Sequence, residues 1–354
     1  MLGLGRSKNV VGLDIGASSV KAVQLKRSRG TTELVRLGVA PLHPETIVDG
    51  VIMDSGTVIS AIQQIFTENQ IKTKDVVVAV SGHSVIVKKV RITKMKPEEL
   101  EEAIPFEAEQ YVPYAIEDVN LDFQVLENSD PGATDMDVLL VAVKKDIIND
   151  YLSIISTAGL NAVVVDVDAF ALENAFELAY EPDRDQVVGL VNLGAAVMNI
   201  NILQGGFSEF TRDSPLGGNR YTESIQKMLG LSYEQAEALK LGGEEVDGRT
   251  FRDAQPAIDM VNAEVAGEIR RSFDFFRSSS RSDTIHRVIL SGGCARLPGL
   301  VEYLAENFEI PFEIANPLRK IKADPKKFNP EELEMIAPQL AVSVGLALRQ
   351  AGDK

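Results

Sequence analysis

The segment DIGASSVK, residues 14–21, places several phosphate-binding groups on one short turn. A glycine turn between strands exposes consecutive backbone N–H groups, and Gly16 has no side chain to obstruct an anion. Ser18 and Ser19 add hydroxyl donors, Lys21 adds a point charge suited to phosphate, and Asp14 is a ligand of the kind magnesium takes together with water. Together they make a site for the phosphates of ATP, although a DxG turn is also an ordinary way to join two strands. NLGAA, residues 192–196, supplies a second glycine turn with backbone donors from Gly194 to Ala196 and no charge. In SGGCARLPG, Gly292 and Gly293 lie between a strand and a helix, where backbone can closely approach a flat base or a ribose.

These turns need rigid elements on either side. Residues 10–25, VVGLDIGASSVKAVQL, read as two strands joined by a tight turn, and 32–39 can supply a third. Val58, Ile59, Ile62, Ile65 and Phe66 recur at helical spacing ahead of the buried strand DVVVAV, residues 75–80. The alternating strand VIVKKVRI follows, then KPEELEEAIPFEAEQYVP, in which Pro97 and the acidic residues behind it suit a helix N-terminus. Strands over 120–126 and 137–143, separated by the loop ENSDPGATD, a helix over 145–157 and the strand NAVVVDVD complete a β-α-β-β-α-β block. That block reads as an inserted subdomain, about 83–162, within a first domain of 1–184 that ends at the polar break EPDRDQ. VVGLVNLGAAVMNINIL, residues 187–203, repeats the strand, glycine turn, strand design and opens a second domain, 185–335. The rest is mainly helical (220–229, 233–239, 256–277) before the strand RVILSGG and a helix over 299–307, and the segment 336–354 packs back to close the first domain.

Composition narrows the function classes. Hydrophobic residues make up 45% and charged residues 25% of 354, so the chain can bury a core, and its length calls for at least two domains. Acidic residues number 52 against 36 basic ones, a net charge of −16 that gives no general attraction to nucleic acid or an anionic membrane. The single cysteine, Cys294, excludes an internal disulfide and a thiolate zinc cluster. Three histidines, His43, His83 and His286, leave little for a histidine-rich metal centre, and His43 and His286 have no evident partner. The start lacks a long apolar segment and no apolar run nears the ~18 residues of a membrane span, so a cytoplasmic protein is expected.

Taken in order, DIGASSVK, NLGAA and VILSGGCARLPG resemble the phosphate, phosphate and adenosine motifs of the actin, Hsp70 and sugar-kinase ATPase superfamily, whose paired domains close on a nucleotide. Within it the chain resembles the family of type IV pilus assembly protein PilM, relatives of the cell-division protein FtsA. The similarity runs through KPEELEEAIPFEAEQYVPYAIEDV, DVLLVAVKKDIINDYLSIISTAGL, VDVDAFALENA and SPLGGNRYTESIQKMLGLSYEQAEALK. It implies an α/β, two-domain actin/Hsp70-like (ribonuclease H-like) nucleotide-binding fold with an FtsA-type inserted subdomain, and ATP and Mg2+ as cofactors. By that resemblance Asp14 holds magnesium through water, Gly16, Ala17, Ser18, Ser19 and Lys21 form the first phosphate loop, and Asn192, Gly194, Ala195, Ala196 and Val197 the second. Gly217 and Gly218 open a turn before a helix, Glu237 and Lys240 meet the ribose and base, and Gly292, Gly293 and Cys294 form the adenosine loop. Asp168 stands where relatives keep an acid or amide that orients the attacking water, a place a helix N-cap also fills. Asn192 departs from the pattern: many relatives carry aspartate there, and an amide cannot supply the negative charge that attracts magnesium and its waters. Nucleotide binding with slow or absent hydrolysis is therefore expected.

The same resemblance implies a scaffold that takes the N-terminal cytoplasmic peptide of the inner-membrane protein PilN in a groove between the first domain and the insertion. Ile104, Phe106, Tyr111, Val112 and Tyr114 are the candidate lining, though such residues also suit a plain core, and VIVKKVRI offers a strand edge to an extended peptide. Such a scaffold sits at the cytoplasmic face of the inner membrane through its partners. It joins the alignment complex to the pilus assembly motor and platform proteins, with self-association into a ring or filament as a further implied contact. Two other readings compete. A small-molecule kinase needs a catalytic carboxylate facing a substrate cleft, and an FtsA-like filament-forming ATPase carries an amphipathic membrane helix for which LALRQAGDK has no room.

Overall fold

The first glycine turn joins β1 (Val11–Ile15) to β2 (Ser19–Ser28), an antiparallel pair with Asp14 opposite Lys21. The structure, a computed structural model, describes residues 9–350 except 29, 49, 127–133, 244 and 281–283. β3 (Thr31–Pro41) lies beside β2, a small ribbon of β4 (Ile47–Val48) and β5 (Val51–Ile52) follows, and α1 (Ser55–Glu68) leads into β6 (Asp75–Val80), parallel to β1. α1 begins where the Asp54 carboxylate accepts the Thr57 amide, and its Val58, Ile62 and Ile65 stripe is buried against the sheet. β6 is covered on both faces, which is why its sequence is a continuous apolar run rather than an alternating one.

The insertion is smaller than its sequence suggests. β7 (Val85–Thr93), α2 (Pro97–Ala108), β8 (Val119–Leu126) and β9 (Asp135–Lys144) form a separate sheet in the order β7-β9-β8, covered by one helix. Most of the expected loop before β9, residues 127–133, lies outside the described residues. α3 (Lys145–Thr157) and β10 (Asn161–Val167), expected inside the block, belong to the first sheet: β10 pairs parallel with β6, and Ile154 and Ile155 bury in the core that α1 faces. The limit at 162 thus moves back to the end of β9. A parallel pair needs a crossover, and α3 supplies it with the apolar stripe that such a helix must bury.

α4 (Asp168–Tyr180) continues directly from β10 and lies between the two domains, packed on both. β11 (Val187–Leu193) and β12 (Met198–Gln204) repeat the first hairpin, and β13 (Phe207–Ser214) adds a third strand that the sequence reading did not contain. Its residues FSEFTRDS are polar on both faces and carry no clean alternation. α5 (Gly218–Leu229), α6 (Tyr233–Lys240) and α7 (Phe251–Ser279) come next, then β14 (Arg287–Ser291), α8 (Leu300–Phe308) and β15 (Phe312–Ile314), giving the order β13-β12-β11-β14-β15. α7 starts earlier than the expected residue 256, because Thr250 and Asp253 cap each other reciprocally.

β16 (Ile321–Lys322), expected in the second domain, pairs with β3 and extends the first sheet to β10-β6-β1-β2-β3-β16. α9 (Pro330–Ile336) and α10 (Ala341–Ala347) close the described chain, with 351–354 outside it. α10 lies against β1 and α4. The approach to α4 is so close that a Cβ on Gly345 would sit 1.8 Å from the Ala171 carbonyl oxygen, so only glycine fits. Among the described residues no helix is long and apolar enough to cross a membrane.

Candidate functional site

In the first turn the Gly16 N–H donates to Ser19 O at 3.1 Å and the Leu42 N–H to Ser18 O at 2.8 Å, so β2 and the chain after β3 fix its shape. Ser18 is exposed, Ser19 is buried, and Gly16 and Ala17 are half-buried at the tip. Lys21 is not the free phosphate-facing charge that the sequence suggests. As cross-strand partners Asp14 and Lys21 share a face, and Lys21 Nζ lies 3.0 Å from Asp14 Oδ2 with the lysine only 8% exposed. An arriving phosphate has to compete with Asp14 for that ammonium.

Asp168 is the first helical residue of α4, one place after the cap position held by Val167. Burial pushes its carboxyl up to about 7; the Asp14 and Asp213 charges push the same way, while the Ser81 hydrogen bond and Lys21 oppose them. A carboxyl poised near neutrality can take a proton from water. The Tyr151 hydroxyl beside it is pushed far up, by burial first and then by the Asp168 and Asp14 charges. Asp213, at the end of β13, accepts the Gly82 N–H at 2.6 Å and the Asn199 amide at 2.9 Å, and burial raises its pKa against both bonds. The sequence reading missed Ser81, Gly82, Asn199 and Asp213. A signal was present in MNINIL, where asparagine at every second place gives an otherwise apolar strand one polar face.

The second domain gathers its glycine turns tightly. The Gly218 N–H donates to Gly194 O at 2.9 Å and the Asn219 N–H to Ala195 O at 2.8 Å, hooking the start of α5 onto the second phosphate turn, Gly194 to Val197. Gly217, just before α5, is buried there. Cys294 Sγ lies 3.9 Å from Gly194 O, and burial raises the thiol pKa. Gly292 has φ +91°, and a Cβ there would meet Leu193 O at 2.3 Å; at Gly293 a Cβ would enter open space. Lys240 Nζ lies 2.6 Å from Glu237 Oε2, and that carboxylate also accepts the Thr222 hydroxyl at 2.6 Å. Lys240 donates in turn to Gly218 O at 3.2 Å, so the Glu237–Lys240 pair is fixed to the same cluster. Asn192 donates to Asn199 Oδ1 at 2.8 Å.

The five apolar partner candidates separate. Ile104 and Val112 are buried in the insertion's own core and line no groove, because α2 needs an apolar stripe to seat on its sheet. Phe106 is 72% exposed. Tyr111 and Tyr114 are half-buried beneath the Lys88 and Lys144 ammonium groups, 4.7 and 4.2 Å from the ring centres. The outer edge of β7, expected to be open, faces β13: Lys89 pairs with Glu209 at 2.8 Å and the Thr211 hydroxyl donates to Val87 O at 3.4 Å. A cavity of about 240 Å³ lies in this seam, lined by Val85, Val87, Ala169 and Thr211. The sheet order leaves β8 as the insertion's other edge. His286, without an evident partner in the sequence, accepts the Val187 N–H at its Nδ1 at 2.9 Å. Among the described residues no three His, Cys, Asp or Glu side chains stand close enough to hold a metal ion directly.

Comparison with known proteins adds a family. A family model described as "Type IV pilus assembly protein PilM" matches residues 12–351. A solved structure titled "PilM-PilN type IV pilus biogenesis complex" superposes with a TM-score of 0.86 at 32% identity, covering 97% of this chain and 99% of that one. The cell-division protein FtsA of Enterococcus faecalis is 24% identical over 343 residues, 84% of this chain and 76% of that protein. FtsA of Pseudomonas aeruginosa is 23% identical over 361 residues, 90% and 85% of the two. MreB5 of Spiroplasma citri bound to ADP shares the fold alone, with a TM-score of 0.53 at 13% identity over 96% of this chain and 95% of that one.

Proposed function

Because this chain belongs to the type IV pilus assembly protein PilM family, we propose that it is an actin-like, ATP-binding scaffold of the pilus machine. The observation that carries the nucleotide half is the joining of three separate turns. Gly194 O receives Gly218 and lies beside Cys294, while the Glu237–Lys240 pair, with its lysine buried, is tied to Gly218. The groups present fit an adenine nucleotide: open space at Gly293 for a flat ring, Glu237 and Lys240 for polar ribose and base edges, and Lys21 with the two glycine turns for phosphates. Asp14 and Asp168 offer oxygens of the kind magnesium takes through water, and bound magnesium would neutralise phosphate charge there. Asn192 supplies no charge, which supports slow or absent turnover.

The partner half rests on the PilM-PilN complex to which the chain is similar over nearly its whole length. The N-terminal cytoplasmic peptide of PilN is the proposed ligand, held between the insertion and the first domain, with Phe106, Tyr111 and Tyr114 as candidate contacts. Recruitment to the inner membrane then follows from the partner, and motor and platform proteins and further copies of the chain are the remaining proposed contacts. Isothermal titration with Mg-ATP and with that peptide tests both halves. Binding of each is expected. No heat and no thermal stabilisation at millimolar Mg-ATP would overturn the nucleotide half, and a silent peptide titration the partner half. The FtsA similarity favours one second reading, an ATP-dependent filament, which sedimentation with and without Mg-ATP distinguishes.

A further inference from the structure

Three hydrogen bonds connect the second phosphate turn to the root of the insertion. Asn192 Nδ2 donates to Asn199 Oδ1 at 2.8 Å, Asn199 Nδ2 donates to Asp213 Oδ1 at 2.9 Å, and Asp213 Oδ2 accepts the Gly82 N–H at 2.6 Å. Asn192 heads the turn at Gly194, whereas Gly82 is buried in the link between β6 of the first sheet and β7 of the insertion. The last bond therefore crosses from the second domain to the first.

The series is directional. An amide accepts at its oxygen and donates at its nitrogen, so once Asn192 donates to Asn199, the Asn199 NH2 must face Asp213. Only a group that accepts twice can then receive both Asn199 and Gly82, and a carboxylate does so. Asn199 is 2% exposed, so a bond lost there is not replaced by solvent. The Lys89–Glu209 pair and the Thr211–Val87 bond brace the same β7–β13 seam, so a shift of β13 is passed along β7.

We infer that Asn192, Asn199 and Asp213 form a coupling relay, in which occupancy of the second phosphate turn sets whether the Asp213–Gly82 bond is held, and with it the seating of the insertion. The inference rests on the nucleotide reading above and adds regulation to it. It also gives a reason for the amide at position 192. A carboxylate there would set oxygen against Asn199 Oδ1, and turning Asn199 over would set its oxygen against Asp213.

Hydrogen exchange of the full chain, read over Gly82–Thr93 with and without saturating Mg-ATP, tests the relay. In the wild type, Mg-ATP is expected to slow exchange of the Gly82 amide about fivefold or more, the lower end of measured site couplings. Asp213→Asn, which exchanges one acceptor for a donor, should show no slowing when equally loaded. If that variant fails to fold, Asn192→Asp, which keeps Asp213, is expected to lose the slowing as well. Equal slowing in wild type and variant, or none in a wild type that calorimetry shows to be loaded, would overturn the relay alone. A wild type that does not bind Mg-ATP would overturn the nucleotide reading and the relay with it.

Discussion

Asp168 carries a carboxyl whose charge depends on pH near neutrality, raised to about 7 by burial and by the Asp14 and Asp213 charges. In an unfolded chain it titrates near 3.8, so between the two values the folded state holds a proton that the unfolded state does not. Stability from this group is complete below about 4 and is lost as pH rises through about 7. Glu173, raised to about 7 first by burial and then by Glu177 and Asp166, adds with the same sign. Asp168→Asn should therefore flatten the melting profile between pH 5 and 8, raising stability at pH 8 by about 1 kcal/mol, less than the full shift because the group is half-buried and solvent screens part of it. A second expectation concerns Lys21→Ala. It removes the ammonium that Asp14 holds, and Mg-ATP affinity by calorimetry should fall about tenfold or more, the loss of one charge-assisted contact. The glycine turns were legible in the sequence because each is local, whereas Glu237 and Lys240 were singled out by the family resemblance alone. Asp213 and Gly82 were not legible, since 131 positions separate them and nothing in either segment says which sheet face meets the other domain.

Among the elements, the insertion separates what sequence periodicity can and cannot tell. Its strands and helix were legible from alternation and from Pro97, but the apolar residues of α2 and the turn after it look alike whether they line a groove or seat a helix. Burial divides them, and two substitutions check the division. Val112→Asp places a charge in the insertion's core and should cost about 3 kcal/mol or more, seen as early melting of that subdomain. Phe106→Asp, on the exposed face of α2, should move the melting temperature hardly at all, within about 0.5 kcal/mol, while weakening the PilN peptide about tenfold by titration. Unchanged peptide affinity would remove Phe106 from the proposed contacts. The assignment of α3 and β10 to the insertion failed for a different reason: a strand's parallel partner is a long-range choice, and NAVVVDVD suits either sheet.

For the whole molecule, the two domains meet through α4 on a seam that is partly polar. Asn201 donates to Ala169 O at 2.9 Å and also accepts the Ser208 hydroxyl at 2.6 Å, near Glu173. Beside these polar bonds Leu172 and Phe176 of α4 pack with Leu190 and Ile289 of the second domain, so apolar contacts also hold the two domains together across this seam. The opposite side of α4 is built otherwise. There Gly345 of α10 touches the Ala171 backbone, and Gly345→Val should destabilise by about 3 kcal/mol in denaturant unfolding, because neither backbone can yield. Since α10 packs on β1, one face of that strand is covered by residues 341–347, which are made after the entire second domain, while α1 covers the other. The first domain cannot complete its packing in the order of synthesis. During translation the β1–β2 hairpin waits with an apolar face open while the entire second domain emerges, so nascent chains are expected to be held by a chaperone until α10 arrives.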